Sequence, residues 1–181
     1  MGGQPATGTL RHAGRSWPAL KESMRAGIAL GSNLGNLHAN LSCAIGHLRR
    51  LAIAEPPFLI SSFYRTAPVD CPPGSGDFLN AVAEFTYSGG ARDLLGDLRE
   101  IESLMGRPPV RDTNAPRPID LDILYCDDQV LSDTDLILPH PRMHLRLFVL
   151  EPLCEIAPQR VIPIHGKTAF ELKDRININN L

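Results

Sequence analysis

Arg117-Pro118-Ile119-Asp120-Leu121-Asp122-Ile123-Leu124 alternates apolar and acidic residues behind a proline, and this pattern predicts a β-strand over residues 119–125. Side chains alternate faces along a strand, so Asp120 and Asp122 project to one side, roughly 6.6 Å apart along the backbone at ~3.3 Å per residue. Leu121 and Ile123 then face a core, which sets the register and holds the acids outward. Two carboxylates this close repel, and one pKa rises unless a cation sits between them. Hard oxygen ligands suit Mg²⁺, which takes one or two protein carboxylates and completes its shell with water and phosphate oxygens. An isolated Asp-x-Asp is more often an edge strand with solvated acids, so the neighbouring residues decide the reading.

Those neighbours are cationic. Arg107 and Arg117 bracket a proline-rich loop that leads straight into the acids, placing guanidinium forks where a metal-held triphosphate would extend. Metal on one set of phosphate oxygens and arginine on another is the charge arrangement that phosphoryl transfer needs. Arg111 lies in the same loop, where simple solvation is an equal reading. His140, fixed between Pro139 and Pro141, is placed to donate to a phosphate. His140 and His144 have i, i+4 spacing, but no Glu follows His140 and no third ligand is evident, so zinc is not expected. His144 reads as structural.

Working outward, residues 27–30 form a short apolar strand ending in the turn Gly31-Ser32-Asn33-Leu34-Gly35-Asn36. Leu41, Ile45, Leu48 and Leu51 follow at helical spacing. Residues 58–65 and 78–87 read as strands separated by turn chemistry. After Ser88-Gly89-Gly90 a second amphipathic helix carries Leu94, Leu98, Ile101 and Met105 and stops at Gly106. Asp127-Asp128 turns the 119–125 strand back, and residues 148–156 read as a third, mostly buried helix. The order β-α-β-β-α-β is that of an α+β protein, a ferredoxin-like α/β sandwich with an antiparallel sheet and helices in a single domain.

The bulk numbers agree with one domain and one site: 181 residues, 43% hydrophobic, with a formal net charge of −2. That balance does not suggest a nucleic-acid or membrane partner. The four cysteines are widely spaced without a C-x-x-C, and no secretory signal precedes them, so reduced thiols in a cytoplasmic protein are expected. Residues 1–24 are rich in Gly, Pro and small residues and read as a disordered extension, an organelle transit peptide being the alternative. Met24 is an equal candidate for the start. Residues 25–181 form the domain. Gly166-Lys167-Thr168 resembles the end of a Walker A motif, but Val161 stands where its earlier glycine belongs. Asn40-Leu41-Ser42 matches a glycosylation acceptor inside an expected helix and is set aside.

Together, Ile28-Ala29-Leu30-Gly31-Ser32-Asn33-Leu34-Gly35, Ser61-Ser62-Phe63-Tyr64-Arg65-Thr66, Phe78-Leu79-Asn80-Ala81, Arg117 to Leu124 and Pro139-His140-Pro141-Arg142-Met143 appear in the order seen in 6-hydroxymethyl-7,8-dihydropterin pyrophosphokinases. The chain resembles that family over about residues 27–158. The resemblance implies transfer of pyrophosphate from ATP to the pterin hydroxymethyl group with release of AMP, in folate biosynthesis. It also implies two Mg²⁺ ions on Asp120 and Asp122, with Arg107 and Arg117 on the transferring group. Asn80 would hydrogen-bond the pterin and Phe148 would stack on it. Phe78 matches the opposing aromatic in sequence order, with Tyr64 and Phe63 nearby. Backbone at Thr66, Ala67 and Val69 would complete the pterin edge, and Glu102 matches a helix carboxylate of the pterin region. His140 and Arg146 match phosphate contacts, and Arg111 would join the ATP site.

The pattern departs from the family at Thr113-Asn114-Ala115, where an aromatic and further arginines often stand, at Pro109, which replaces a basic residue, and at Leu145 and Leu147, which replace charged ones. Two rival readings are weaker. An RNA-binding module of the same fold should show exposed aromatics and a basic surface, against 6% aromatics and a slight negative charge here. An inactive pterin-binding relative is disfavoured by the intact acids and arginines. The expected partners are the two small substrates, ATP and the pterin, and a monomer is expected, with an oligomer as the alternative.

Overall fold

The computed structural model describes residues 23–54, 56–68, 76–108 and 115–179. Val69 and Arg111 fall outside them, as does the expected extension up to residue 22. At the centre of the sheet, β1 (Ser23–Ser32) is paired on one side with β4 (Phe78–Ser88) and on the other with β5 (Asp120–Cys126), both antiparallel. Beyond β4 lie two short strands, β2 (Leu59–Ile60) and β3 (Tyr64–Thr66). Counting β2 and β3 as one broken strand, the order is that of the expected ferredoxin-like sheet, strand 4-1-3-2, all antiparallel.

Alternation divides the sheet into two faces. Ala26, Ile28 and Leu30 of β1, Leu79, Ala83 and Phe85 of β4, and Leu121 and Ile123 of β5 pack under α1 (Leu37–Leu51) and α2 (Ala91–Leu104). The opposite face carries Ala29, Val82 and Tyr125 and is covered by α3 (Leu147–Ile156) and α4 (Ala169–Asn179). The register of β1 against β5 shifts between Gly27 and Ile28, leaving Leu124 as an extra residue. It therefore joins Tyr125 on the α3 side. Gly27 makes room for that ring, since a Cβ there would lie 2.5 Å from the Tyr125 ring carbons.

The helices begin and end for local reasons. Asn36 caps α1 by accepting from the Ala39 amide at 3.1 Å, and the Asp93 carboxylate accepts from the Gly90 amide at 3.0 Å at the start of α2. Gly106, with φ of 85°, takes the left-handed turn that stops α2.

Several expectations are corrected. β1 starts at Ser23 rather than residue 27, and Met24 is buried, so the sheet takes in the last two residues assigned to the extension. Residues 58–65 are not one strand: a bulge at residues 61–63 splits it. Hairpins β6 (Leu131–Ser132) with β7 (Ile137–Leu138) and β8 (Val161–Ile162) with β9 (Lys167–Thr168) were not expected, nor was α4. The signal for α4 was present as a capping box, in which the Thr168 hydroxyl accepts from the Glu171 amide and Glu171 accepts from the Thr168 amide. No helix among the described residues is long and apolar enough to cross a membrane.

Candidate active site

Register places the polar residues of three strands in one row. Asp120 of β5 pairs with Gly31 of β1, Gly31 pairs with Asn80 of β4, and Asn80 pairs with Tyr64 of β3. Paired residues share a face, so Asp120 and Asn80 look out on the α3 side with only a glycine between them. A Cβ on Gly31 would sit 3.2 Å from Asn80 Oδ1. Asp122 stands one step further along the same face, opposite Ala29.

Asp120 is held by both expected arginines. Arg107 Nη2 and Arg117 Nη2 each lie 2.5 Å from one of its oxygens, and Arg107 also pairs with Glu102. Glu102 Oε1 accepts from the Leu121 amide at 2.7 Å, tying α2 to the edge of β5. Its partners thus place Glu102 beside the arginines that hold Asp120. The cluster is largely buried, with Arg107 only 8% exposed, and the Nε–H groups of Arg107 and Arg117 have no partner among the described residues. Arg117 is fixed from behind by Asn33, and its guanidinium carbon lies 5.7 Å from the Phe78 ring centroid.

Among the described residues Asp122 has no such guanidinium contact. Burial and the neighbouring Asp120 push its pKa up to about 6. His140 Nε2 approaches it at 4.0 Å, while burial and the nearby Arg146 and Arg142 push the imidazole down to about 4. The His140 ring is therefore neutral near pH 7. Its Nδ1 accepts from the Arg142 amide at 3.1 Å, so the ring proton sits on Nε2, toward Asp122. Arg146 lies over the Phe148 ring at 5.4 Å, and burial and Arg142 lower its pKa.

At the other end of the row, Asn80 Nδ2 donates to Thr66 Oγ1 at 2.7 Å. Phe148 packs against the core cluster that contains Val82, on the face that carries Asn80. Of the alternative aromatics, Phe63 packs toward the α1 side and tilts against His38, and the Tyr64 hydroxyl is taken by Glu155. Ala67 is exposed, while Val69 and Arg111 lie outside the described residues. Sequence reasoning missed a cleft of about 250 Å³ beside Asp122 and His140, lined by Leu95, Ile123, Leu136 and Ile137. Half of that lining comes from the unexpected β6–β7 hairpin.

Residues 27–158 match the family described as 7,8-dihydro-6-hydroxymethylpterin-pyrophosphokinase, HPPK. The chain belongs to the HPPK family. It is 36% identical over 150 residues to the 2-amino-4-hydroxy-6-hydroxymethyldihydropteridine pyrophosphokinase of Synechocystis, spanning 83% of this chain and 75% of that one. To the enzyme of the same name from Bacillus subtilis it is 41% identical over 133 residues, 73% and 77% of the two chains. The mitochondrial folate synthesis bifunctional protein of Arabidopsis thaliana is 40% identical over 165 residues, but only 29% of its length is spanned. The fold matches the HPPK-DHPS protein of Plasmodium falciparum with a TM-score of 0.67 at 13% identity, over 85% of this chain and 44% of that one. HPPK relatives thus occur both alone and as parts of longer chains, and the matched region here includes every expected site residue.

Proposed function

We propose that the row from Asp122 to Asn80 is the reaction axis of a pyrophosphokinase, with nucleotide at the Asp122 end and pterin at the Asn80 end. The chain is an ATP-dependent enzyme of folate synthesis that transfers pyrophosphate to the hydroxymethyl group of 6-hydroxymethyl-7,8-dihydropterin and releases AMP. The observation that supports the axis is the pairing Asp120–Gly31–Asn80, which sets a carboxylate and an amide side chain on one face with only a glycine between them.

Asp120 and Asp122 would hold Mg²⁺, two ions by the family pattern, and the metal would neutralise phosphate oxygens as charge shifts. The donor set fits: among the described residues no guanidinium pairs directly with Asp122, its carboxyl is pushed up by burial and by Asp120 more than Arg146, Arg117 and Arg142 lower it, and two buried arginine Nε–H groups have no acceptor there. Among the described residues no third carboxylate, His or Cys joins the pair, which suits an ion that keeps water and phosphate in its shell.

The protein's own groups supply position and charge. Glu102 holds Arg107 and Asp120 holds both arginines, so the guanidiniums are oriented before phosphate arrives. Neutral His140 donates from Nε2 and Arg146 adds a charge over Phe148. The apolar cleft walls Leu95, Ile123, Leu136 and Ile137 suit a purine base. Asn80, oriented by Thr66, hydrogen-bonds the pterin edge, and Phe148 and Phe78 supply its aromatic faces. The hydroxymethyl oxygen attacks the β-phosphorus and the α-phosphate leaves in AMP, without a covalent enzyme intermediate. Arg111, Ala67 and Val69 complete this reading as the remaining nucleotide and pterin contacts. We place the reaction in the cytoplasm, where Cys43, Cys126 and Cys154 stay free thiols.

The decisive assay measures AMP from MgATP with and without 6-hydroxymethyl-7,8-dihydropterin. Pterin-dependent AMP is expected; ADP as the nucleotide product would exclude pyrophosphoryl transfer.

A further inference from the structure

The pairing of the outer strand changes face between β2 and β3. Ile60 pairs with Ala83, whose side chain lies under α1, whereas Tyr64 pairs with Asn80, on the α3 side. Three residues, 61–63, therefore oppose two, 81 and 82, and this one-residue bulge reverses the alternation. Without it Tyr64 and Thr66 would face the α1 core, and Thr66 Oγ1 could not accept from Asn80.

The bulge frees backbone groups that the ladder would otherwise satisfy, and side chains replace them. Ser61 Oγ accepts from the Val82 amide at 3.0 Å and donates to the Ser62 carbonyl at 2.8 Å. The Ser62 amide instead points out of the ladder, and both oxygens of Glu155 accept from it at 3.0 Å. Glu155 also accepts from the Ser62 hydroxyl at 2.9 Å and from the Tyr64 hydroxyl at 2.9 Å. Four hydrogen bonds from three donors, the Ser62 amide and hydroxyl in the bulge and the Tyr64 hydroxyl beside it, converge on a single carboxylate of α3. These bonds hold that carboxyl below its ordinary range despite its exposure.

Glu155 stands seven residues after Phe148, two turns along the same helix face and about 10.5 Å along the axis at 1.5 Å per residue. One end of α3 thus presents the aromatic face of the site, and the other grips the bulge that turns Thr66 toward Asn80. We propose that Glu155 is a positioning residue for the pterin: by clamping the bulge to α3 it fixes the gap between the Asn80–Thr66 edge and the Phe148 ring. This rests on the pterin lying at the Asn80 end. Glu155 touches neither substrate; it acts through Ser62 and Tyr64.

The test is equilibrium binding of 6-hydroxymethyl-7,8-dihydropterin and, separately, of a non-hydrolysable ATP analogue with Mg²⁺. Glu155→Ala should weaken the pterin about tenfold and raise its KM in proportion, with kcat at saturating pterin and affinity for the analogue within about twofold of the parent. Glu155→Gln keeps an acceptor for the Ser62 amide and should recover most of the loss. Tyr64→Phe deletes one of the four bonds while keeping the ring, and should weaken the pterin about threefold even where Glu155→Ala does not fold. Phe148→Ala separates this proposal from the reading beneath it. If Phe148→Ala leaves pterin affinity unchanged, the assignment of the pterin end is wrong. If it weakens the pterin while Tyr64→Phe and Glu155→Ala do not, or if Glu155→Ala weakens both ligands alike, the clamp is overturned and the site reading stands.

Discussion

Asn33 and Arg117 grip each other through two hydrogen bonds: the Asn33 amide donates to the Arg117 carbonyl at 3.2 Å, and Asn33 Oδ1 accepts from the Arg117 amide at 2.8 Å. The turn after β1 thereby anchors the backbone of a residue 84 positions away, so that its guanidinium reaches Asp120. Asn33→Ala removes one of these bonds and leaves a partly buried amide unpaired. Turnover should fall about tenfold, corresponding to roughly 1.4 kcal/mol of lost positioning, with melting temperature lowered by a few degrees. Steady-state kinetics beside a thermal melt check this; an unchanged kcat would mean that Arg117 needs no anchor.

Asp120 and Asp122 should respond differently to removal, although both belong to the proposed metal pair. Each alanine variant should lose at least ~100-fold in turnover, as expected for single electrostatic groups at a phosphoryl-transfer site. Only Asp120→Ala should also unfold easily, because it takes the shared carboxylate from Arg107 and Arg117, which are 8% and 17% exposed, and leaves Arg107 with Glu102 and Arg117 with the Ala115 carbonyl. A loss of about 3 kcal/mol is expected there, against little change or a slight gain for Asp122→Ala. Chemical denaturation of the two variants tests the contrast, and equal losses would contradict it.

Asp122 also makes a pH prediction for the protein without metal. Its carboxyl, raised to about 6 from its ordinary value of 3.8, binds more protons folded than unfolded. The stabilising contribution is therefore full below about pH 3.8 and is lost as pH rises through about 6. His140, lowered to about 4 from 6.5, has the opposite sign: its penalty appears as pH falls below 6.5. Replacing Asp122 with Asn should remove the first slope only, so denaturation from pH 4 to 7 should show stability rising more steeply with pH in the variant. MgATP should bind the parent protein more tightly above pH 6, where the carboxylate is ionised.

Gly31 is where a small change should disturb pterin binding more than the proposed metal pair. A Cβ at this position would stand 3.2 Å from Asn80 Oδ1 and 3.9 Å from Asp120 Cβ. Gly31→Ala should push the Asn80 amide off Thr66 and weaken pterin binding about tenfold, with affinity for MgATP reduced less. Calorimetric titration of each ligand measures the split.

For the N-terminal residues, truncation before Ser23 should leave activity and melting temperature nearly unchanged, since residues 1–22 offer no periodic apolar face to bury. Cutting after Met24 should not be neutral, because Met24 is buried and Ser23 and Met24 pair with Ser88 and Tyr87. A melting curve for each truncation distinguishes the two boundaries.

Alternation and spacing alone determined much of this protein. The 119–125 pattern placed Asp120 and Asp122 on one face of a strand with Leu121 and Ile123 in the core, and the helical spacing of α1 and α2 led to the sheet order, because these are local properties of a chain with period 2 or 3.6. Five ordered motifs then identified the family. Which cation meets which anion was settled only by tertiary structure. The sequence suggested repulsion between two acids, whereas folding brings Arg107 and Arg117 onto Asp120 and leaves Asp122 to burial. The bulge at residues 61–63 was equally illegible, because nothing local in Ser61-Ser62-Phe63 breaks a strand. It exists because Ser61 meets Val82 and Ser62 meets Glu155, 93 residues away, and such contacts form only when the sheet and α3 are already together.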